Sequence, residues 1–131
     1  MNRVLGRFSG EIYALFRIVF GLLFAFHGAQ KIFGAFGGEA QPLFSMMGLA
    51  GIIELVGGLL VAIGLVASWA AFVASGQMAF AYFMVHQPMG TWPAQNKGEL
   101  AVLYCFAFLY IASRGAGKWS VAEATANPAL E

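Results

Sequence analysis

The sequence has few charged side chains and a single cysteine. Of its 131 residues 10% are charged, with seven Lys and Arg against six Asp and Glu, so the formal net charge is +1. So small a surplus leaves no basic surface for binding nucleic acid. Cys105 has no second cysteine with which to pair, which excludes an intramolecular disulfide framework and a CxxC redox pair within the chain.

Apolar residues are abundant instead. They make up 60% of the chain, with 13 phenylalanines, and the mean hydropathy is +0.76. Soluble domains are about 45–50% apolar and about 25% charged. A chain of 131 residues also has too small an interior to hide so many large apolar side chains from water. The composition excludes intrinsic disorder and an ordinary soluble domain, and it predicts a protein surrounded by the lipid bilayer.

Four apolar runs predict four transmembrane helices, approximately at residues 12–33, 49–66, 69–86 and 97–113. The first run is about 22 residues long, which at about 1.5 Å per residue covers the roughly 30 Å hydrocarbon core of a bilayer. It has no convincing small-residue cleavage site, so we interpret it as a retained helix rather than a signal peptide. Residues 114–131 are expected to form a polar C-terminal tail. The expected fold is an all-α, integral membrane four-helix bundle in a single domain.

Four spans place both termini on the same side of the membrane. Two basic residues, Lys31 and Lys97, belong to the opposite side. The side of the termini carries four, which are Arg3, Arg7, Arg114 and Lys118. The positive-inside rule therefore predicts a protein of the cell's inner (plasma) membrane with cytoplasmic termini.

The polar residues of the four runs are expected to meet at one end of the bundle. Ionisable groups inside spans cost a few kcal/mol each on insertion scales, so they mark a function or a satisfied internal network. Because successive helices alternate in direction, these groups gather near the two long connections. The candidate ligand-binding or proton-relay cluster is His27, Lys31, Glu54, His86, Asn96 and Glu99. We identify no catalytic residue and expect no metal site among them.

Most members of this cluster also have an ordinary structural interpretation. Glu99 follows Asn96 by three residues, which is the spacing of a helix capping box. Lys31 has a side chain long enough to reach the headgroups, and each histidine is compatible with simple packing. Glu54 is harder to explain in this way, because a carboxylate inside a span needs a cation or a proton. The nearest expected partners of Glu54 are Lys31 and His27.

Arg17 and Cys105 stand apart from the cluster. Arg17 lies about ten residues, or roughly 15 Å, before His27 in the first helix. We interpret Arg17 as a structural buried charge that pairs with Gln77 or with helix-end carbonyls, the alternative being extension to the headgroups. Cys105 falls in the middle of an apolar span, which favours a structural role.

Several short motifs occur together and in order. They are Arg17 with Gly21, Gly28 and Lys31, then ELVGGLL from Glu54 with Gly64-Leu65, QMAFAY from Gln77, NKGEL from Asn96, and GAGKWS from Gly115. Over about residues 12–121 this set resembles the DoxX family of small four-helix membrane proteins. The family's Trp-Ser-x-Asp ending differs here, because Ala122 stands where the Asp is expected. The resemblance implies the four-helix fold and a link to the membrane subunit of a thiosulfate:quinone oxidoreductase, or to membrane-associated redox and thiol-stress complexes.

The favoured functional hypothesis is an accessory or small subunit of a membrane oxidoreductase, with a pocket for a quinone-like or other small ligand. Lys31 or a protonated histidine would donate to a quinone oxygen, and Glu54 or Glu99 would relay protons. Because no side chain here carries electrons by itself, a partner subunit or a soluble redox enzyme must supply them. The protein is then an enzyme at most as a subunit of a quinone-linked oxidoreductase.

Two other hypotheses remain open. His27 and His86 come from different helices at similar depth and are candidate axial ligands of a haem. Alternatively, the protein is a non-catalytic scaffold or transporter-like protein, in which buried charges fix helix register, partner choice or a homo-oligomer.

Overall fold

A computed structural model describes residues 2–131, apart from the side chain of Asn2. The regular structure of this part of the chain is helical, with no β-strand. The α-helices are α1 (Asn2–Leu5), α2 (Ser9–Phe33), α3 (Met46–Ile63), α4 (Ala67–Ala81), α5 (Pro93–Asn96), α6 (Glu99–Arg114) and α7 (Val121–Thr125). A π-helical turn, Tyr82–His86, continues α4, and 3-10 turns cover Gly6–Phe8, Ala35–Gly37, Gln87–Met89 and Pro128–Leu130.

Three helical stretches of the described chain are long and apolar enough to cross a bilayer. They are Arg3–Phe33, Met46–Ile63 and Ala67–Met89, with 31, 18 and 23 residues. The fourth long helix, α6, has 16 residues and packs along α4. Long apolar helices in an all-helical chain confirm the expectation of an all-α membrane bundle in contact with lipid.

The four long helices alternate in direction. Lys31 near the end of α2 pairs with Glu54 in the first half of α3. At the opposite end of the bundle, the hydroxyl of Tyr13 near the start of α2 donates to the carbonyl of Gly115, which follows α6, at 2.5 Å. Residues 34–45 and 87–98 therefore lie together at one end, here called the loop-side end. The other end, which holds both termini, is the terminal end.

Glycines bring α2 and α3 into backbone contact. A Cβ atom on Gly21 would lie 2.7 Å from the carbonyl oxygen of Gly58, and one on Gly58 would lie 2.5 Å from that of Gly21. A Cβ on Gly28 would lie 2.7 Å from the carbonyl oxygen of Gly51. In lipid there is no hydrophobic driving force between helices, so close van der Waals packing of small residues takes its place.

Aromatic rings fill the space between α2 and α6. The ring centroids of Phe24 and Phe108 are 4.6 Å apart, and those of Phe24 and Tyr104 are 5.4 Å apart. Phe20 meets Tyr104 edge to face at 5.7 Å. Edge-to-face and tilted pairs at these separations are the arrangements that aromatic rings prefer. These packed rings extend towards the loop-side end, where Tyr104 also contacts the ring of His27.

The observed helix ends differ from the predicted ends where special backbone geometry intervenes. α3 ends at Ile63 because Gly64 takes a left-handed conformation (φ 69°) and Leu65 N–H closes on the Leu60 carbonyl. The predicted helix 97–113 begins only at Glu99, because Lys97 is itself left-handed (φ 60°) and ends α5.

Residues 114–131 fold back onto the terminal end. Ser120 caps α7 by accepting a hydrogen bond from Glu123 N–H at 3.0 Å. The amide of Val66 donates to the Leu130 carbonyl at 2.8 Å. The small side chains Ala67, Ala116 and Ala122 are buried together beneath this segment.

Candidate functional site

A cavity of about 410 Å³ opens at the loop-side end between α2, α3, α4 and α6. We call it the loop-side cavity. Most of its wall is apolar, and the rings of Phe24 and Tyr104 and the thioether of Met78 belong to it. Its polar and charged lining residues are His27, Lys31, Glu54, Gln77, His86, Lys97 and the hydroxyl-bearing Tyr104. All four long helices or their extensions contribute side chains.

A charged network joins three of these helices. Lys31 Nζ lies 2.5 Å from Glu54 Oε2, and Gln77 Nε2 donates to Glu54 Oε1 at 2.9 Å. Glu54 is 3% exposed, whereas the side chain of Lys31 is 21% exposed. A buried carboxylate is tolerated when a cation and further donors satisfy both oxygens, and here each oxygen has its own donor. The network therefore links α2, α3 and α4 through one carboxylate.

The network leaves hydrogen-bonding capacity towards the cavity. An ammonium has three N–H donors, and one of those of Lys31 is used by Glu54. Gln77 Oε1 is buried and has no hydrogen-bond partner in the described part of the chain. A buried acceptor without a donor is unfavourable by about 1–3 kcal/mol. The site thus offers a bound molecule the remaining N–H donors of Lys31, which lines the cavity.

The two histidines each have one ring nitrogen engaged. His86 Nδ1 lies 3.1 Å from the backbone carbonyl oxygen of Asn96. Because a carbonyl only accepts, Nδ1 of His86 carries the hydrogen and Nε2 is the nitrogen left for other chemistry. His27 Nδ1 lies 3.1 Å from Gln30 Oε1, and the His27 ring meets the edge of Tyr104 at 6.0 Å between centroids.

Asn96 is not among the lining residues of the cavity, but it holds the neighbouring connection between α4 and α6 in place. It is 1% exposed, and its Nδ2 donates to the Gly90 carbonyl at 2.9 Å and to the Tyr82 hydroxyl at 3.3 Å. Its Oδ1 accepts from Gly98 N–H at 2.9 Å. These bonds fix the connection between α4 and α6, and with it the carbonyl that His86 contacts.

Glu99 does not join the cluster. It is exposed, it is not among the cavity's lining residues, and no hydrogen bond or ion pair of its side chain is found among the described residues. The capping box with Asn96 is also absent there, because α6 begins at Glu99 itself and Asn96 Oδ1 bonds to Gly98 instead. The structure therefore brings His27, Lys31, Glu54 and His86 to one cavity, with Asn96 behind it.

Sequence reasoning missed three of the polar lining residues, which are Gln77, Lys97 and Tyr104. Gln77 is not a partner of Arg17 but of Glu54. The sequence marks Gln77 as a lone amide within an apolar run. The rotation of α4 about its axis decides which neighbour Gln77 contacts, and the sequence does not give that rotation. Tyr104 gave no signal that distinguished it from the other aromatic residues of α6.

Arg17 is fully buried at the terminal end and bonds to backbone carbonyls. Nη1 donates to Val61 and Ala62, both at 2.6 Å, and Nη2 donates to Lys118 at 3.0 Å and Trp119 at 2.8 Å. The Val61 and Ala62 carbonyls belong to the last turn of α3, where the helix dipole favours a cation. Arg17 thus ties α2 to α3 and to the segment that follows α6.

Cys105 contributes to the packing of α4 against α6. Ser75 Oγ donates to the Cys105 carbonyl at 2.8 Å and lies 3.5 Å from its Sγ. Within residues 2–131, no group of three or more His, Cys, Asp or Glu side chains is arranged to hold a metal ion.

Comparison with known proteins identifies the family. The model of the DoxX family matches residues 12–87, which is more than half of the chain. A Haemophilus influenzae (strain ATCC 51907 / DSM 11121 / KW20 / Rd) protein described as uncharacterized is 38% identical over 120 residues, covering 86% of this chain and 90% of the relative. No solved structure matches the chain. The chain is therefore a membrane protein of the DoxX family.

Proposed function

We propose that this protein is an accessory subunit of a membrane oxidoreductase system and that the loop-side cavity binds a quinone-like ligand. The observation that carries the proposal is the network of Lys31, Glu54 and Gln77 at an apolar cavity. Small-molecule sites have volumes of about 300–1,000 Å³, apolar walls and a few convergent polar groups. The cavity of about 410 Å³ has these properties.

The residues present fit a quinone headgroup. Such a group needs apolar surfaces for its flat ring and hydrogen-bonding partners at two carbonyl oxygens. Phe24 and Met78 supply apolar surface, and Lys31 has N–H donors beyond the one that Glu54 uses. His86 also lines the cavity, and its unengaged Nε2 is suited to accept from the hydroxyl of the reduced form.

Each polar residue then has a defined role. A bound quinone takes up two electrons and two protons on its oxygens, and the electrons come from a partner redox protein, because none of the side chains here is an electron carrier. Lys31 donates a hydrogen bond to one oxygen, and its ion pair with Glu54 holds the ammonium in place. The free Nε2 of His86 is the atom through which a proton can pass to or from the ligand, and the Asn96 carbonyl fixes the orientation of that ring.

Equilibrium binding of a short-tailed quinone to the purified protein in nanodiscs tests this proposal. Wild type is expected to bind saturably, and Lys31→Met is expected to lose about tenfold in affinity, since a hydrogen bond to a charged group contributes about 1.5–3 kcal/mol. Glu99→Gln is the matched control, because it removes an exposed charge at the same end outside the cavity. Absence of saturable binding, or equal loss in Glu99→Gln, would refute the proposal.

A second candidate function is supported by the same network, which links α2, α3 and α4 through one buried carboxylate. In that alternative the protein is a non-catalytic scaffold. Glu54→Gln separates the two. A ligand site loses quinone binding and keeps its fold and oligomeric state, whereas a scaffold loses thermal stability or assembly with partner chains.

We further propose that the protein lies in the plasma membrane with both termini in the cytoplasm. The terminal end carries Arg3, Arg7, Arg114 and Lys118, of which only Lys118 is paired with a carboxylate among the described residues. A fluorescent protein that matures only in the cytoplasm, fused after Glu131, is expected to be bright. If this fusion is dark, and a phosphatase that works only in the periplasm is active when fused at the same position, then the termini lie in the periplasm and the proposed orientation is wrong.

A further inference from the structure

A second cavity, of about 380 Å³, lies at the terminal end, far from the loop-side cavity. Its walls come from the first turns of the N-terminal helical stretch and from the end of α6. The lining residues are Leu5, Gly6, Ser9, Ile12, Tyr13, Phe16 and Tyr110. We call it the terminal groove. Leu5, Ile12 and Tyr110 are each about half exposed, so the groove opens towards the surroundings of the bundle.

The depth of the terminal groove in the membrane follows from helix length. The stretch Arg3–Phe33 has 31 residues, whereas about 20 residues suffice to cross the hydrocarbon core. The residues beyond the number needed to cross the core lie at the ends of the stretch. There they are in the headgroup region and beside the outer part of the acyl chains. Trp69 and Trp119, both exposed at the terminal end, fit the interfacial belt of that leaflet.

Arg114 does not line the groove itself, but it contacts two side chains that do. The guanidinium of Arg114 lies over the ring of Tyr13, 4.7 Å from its centroid, and 5.9 Å from that of Tyr110. Arg114 Nη1 also lies 3.4 Å from the Tyr110 hydroxyl. Two aromatic walls of the groove therefore hold the cation at its edge by cation–π contact.

Arg114 has no ion-pair partner among the described residues. The carboxylates of the terminal end accept hydrogen bonds from other groups. Glu11 pairs with Lys118 at 2.7 Å. Glu123 accepts from the Trp119 amide at 2.7 Å, and Glu131 accepts from the Ala116 amide at 3.1 Å. Arg114 is thus a cation without a carboxylate partner, held against two side chains of an apolar groove.

We propose that the terminal groove is a binding site for an anionic phospholipid. One acyl chain lies against Leu5, Ile12 and Phe16, and the phosphate accepts hydrogen bonds from Arg114. Ser9, which lines the groove and has no side-chain hydrogen bond with a described residue, provides a further hydroxyl. Basic pockets between transmembrane helices bind anionic headgroups by this combination of apolar wall and positive rim. The proposal is independent of the function assigned to the loop-side cavity.

Native mass spectrometry of the intact protein, released from mixed micelles with defined lipids, tests this site. Phosphatidylglycerol is expected to be retained more than phosphatidylcholine of the same acyl chains. Arg114→Gln is expected to reduce that retention about fivefold, since one arginine near the membrane surface contributes about 1 kcal/mol to anionic lipid binding. The matched control is Arg7→Gln, because Arg7, unlike Arg114, makes no cation–π contact with Tyr13 or Tyr110.

A second variant tests the apolar part without changing charge. A Cβ atom on Gly6 would meet nothing within 4 Å, so Gly6→Leu adds an apolar side chain at the wall of the groove without a clash at Cβ. Retention of phosphatidylglycerol is expected to fall while the melting temperature is kept. Equal retention of the two lipids by wild type, or equal losses in Arg7→Gln and Arg114→Gln, would overturn the proposal. So would glycerophosphate that competes as well as the intact lipid, because the acyl chain would then contribute nothing.

Discussion

Replacing Gly28 by alanine should separate α2 from α3. The added Cβ would lie against the backbone nitrogen of Leu55 and 2.7 Å from the carbonyl oxygen of Gly51, about 0.7 Å short of the 3.4 Å at which ordinary contact begins. Both are backbone atoms, so no side chain can rotate away and the helices themselves must move. Overpacking lowers the free energy of unfolding by about 1–3 kcal/mol. The higher helix propensity of alanine raises it by about 0.5–1 kcal/mol. The expected net loss of stability is the difference between these two effects, about 1 kcal/mol.

Gly76→Ala is the matched control for this prediction. Gly76 lies in the middle of α4, and a Cβ there would meet nothing within 4 Å. Gly76→Ala is therefore expected to gain about 0.5–1 kcal/mol. Reversible unfolding in mixed micelles, followed by circular dichroism, measures both variants. Equal shifts for Gly28→Ala and Gly76→Ala, or no loss for Gly28→Ala, would refute the backbone contact between α2 and α3.

Three further perturbations test other contacts. Arg17→Lys keeps the charge but cannot reach four carbonyls, so unfolding in mixed micelles should show a loss of about 3 kcal/mol from two missing charge-assisted bonds; an unchanged stability would contradict the observed geometry. Asn96→Asp keeps the acceptor for Gly98 but removes the donor to the Gly90 carbonyl, so limited proteolysis should cut residues 87–98 faster than in wild type; an unchanged cleavage rate would mean that the amide does not hold this connection. The hydrogen bond to Glu11 holds the pKa of the Lys118 ammonium above its ordinary 10.5. A raised pKa stabilises the fold below the ordinary value and ceases to do so as pH rises through the raised one, so the small difference in Tm between wild type and Lys118→Gln should be constant from pH 4.5 to pH 10.5 and shrink above pH 10.5. It should also shrink in acid, because the same hydrogen bond lowers the pKa of the Glu11 carboxyl from its ordinary 4.5 and is lost once that group takes up a proton. A difference that grows at high pH would contradict this assignment.

The membrane fold could be predicted from the sequence because long apolar runs in a short chain leave no alternative. Transmembrane helices joined by short connections must alternate in direction. This alternation alone predicts that His27, Lys31, Glu54 and His86 lie at one end of the bundle, as they do. Composition and run length carry this information without any knowledge of which helix faces touch.

The sequence predictions that differ from the structure depend on backbone geometry and on the rotation of each helix about its axis. Glu99 was placed in the cluster because its depth is right, but it is the first residue of α6 and its side chain is exposed. Apolar periodicity cannot reveal this, since lipid-facing and bundle-facing positions are both apolar. The partner of Gln77 and the left-handed turn at Lys97 likewise depend on contacts between segments distant in sequence.

Photoaffinity labelling with a quinone that carries a light-activated group shows whether the loop-side cavity binds a quinone. Crosslinks are expected at residues that line this cavity, such as Phe24, Met78 and Tyr104. An excess of the same quinone without the light-activated group should suppress these crosslinks, and Lys31→Met should weaken them. Crosslinks confined to lipid-facing residues such as Phe106 and Trp69, or crosslinks insensitive to competition, would contradict quinone binding in this cavity.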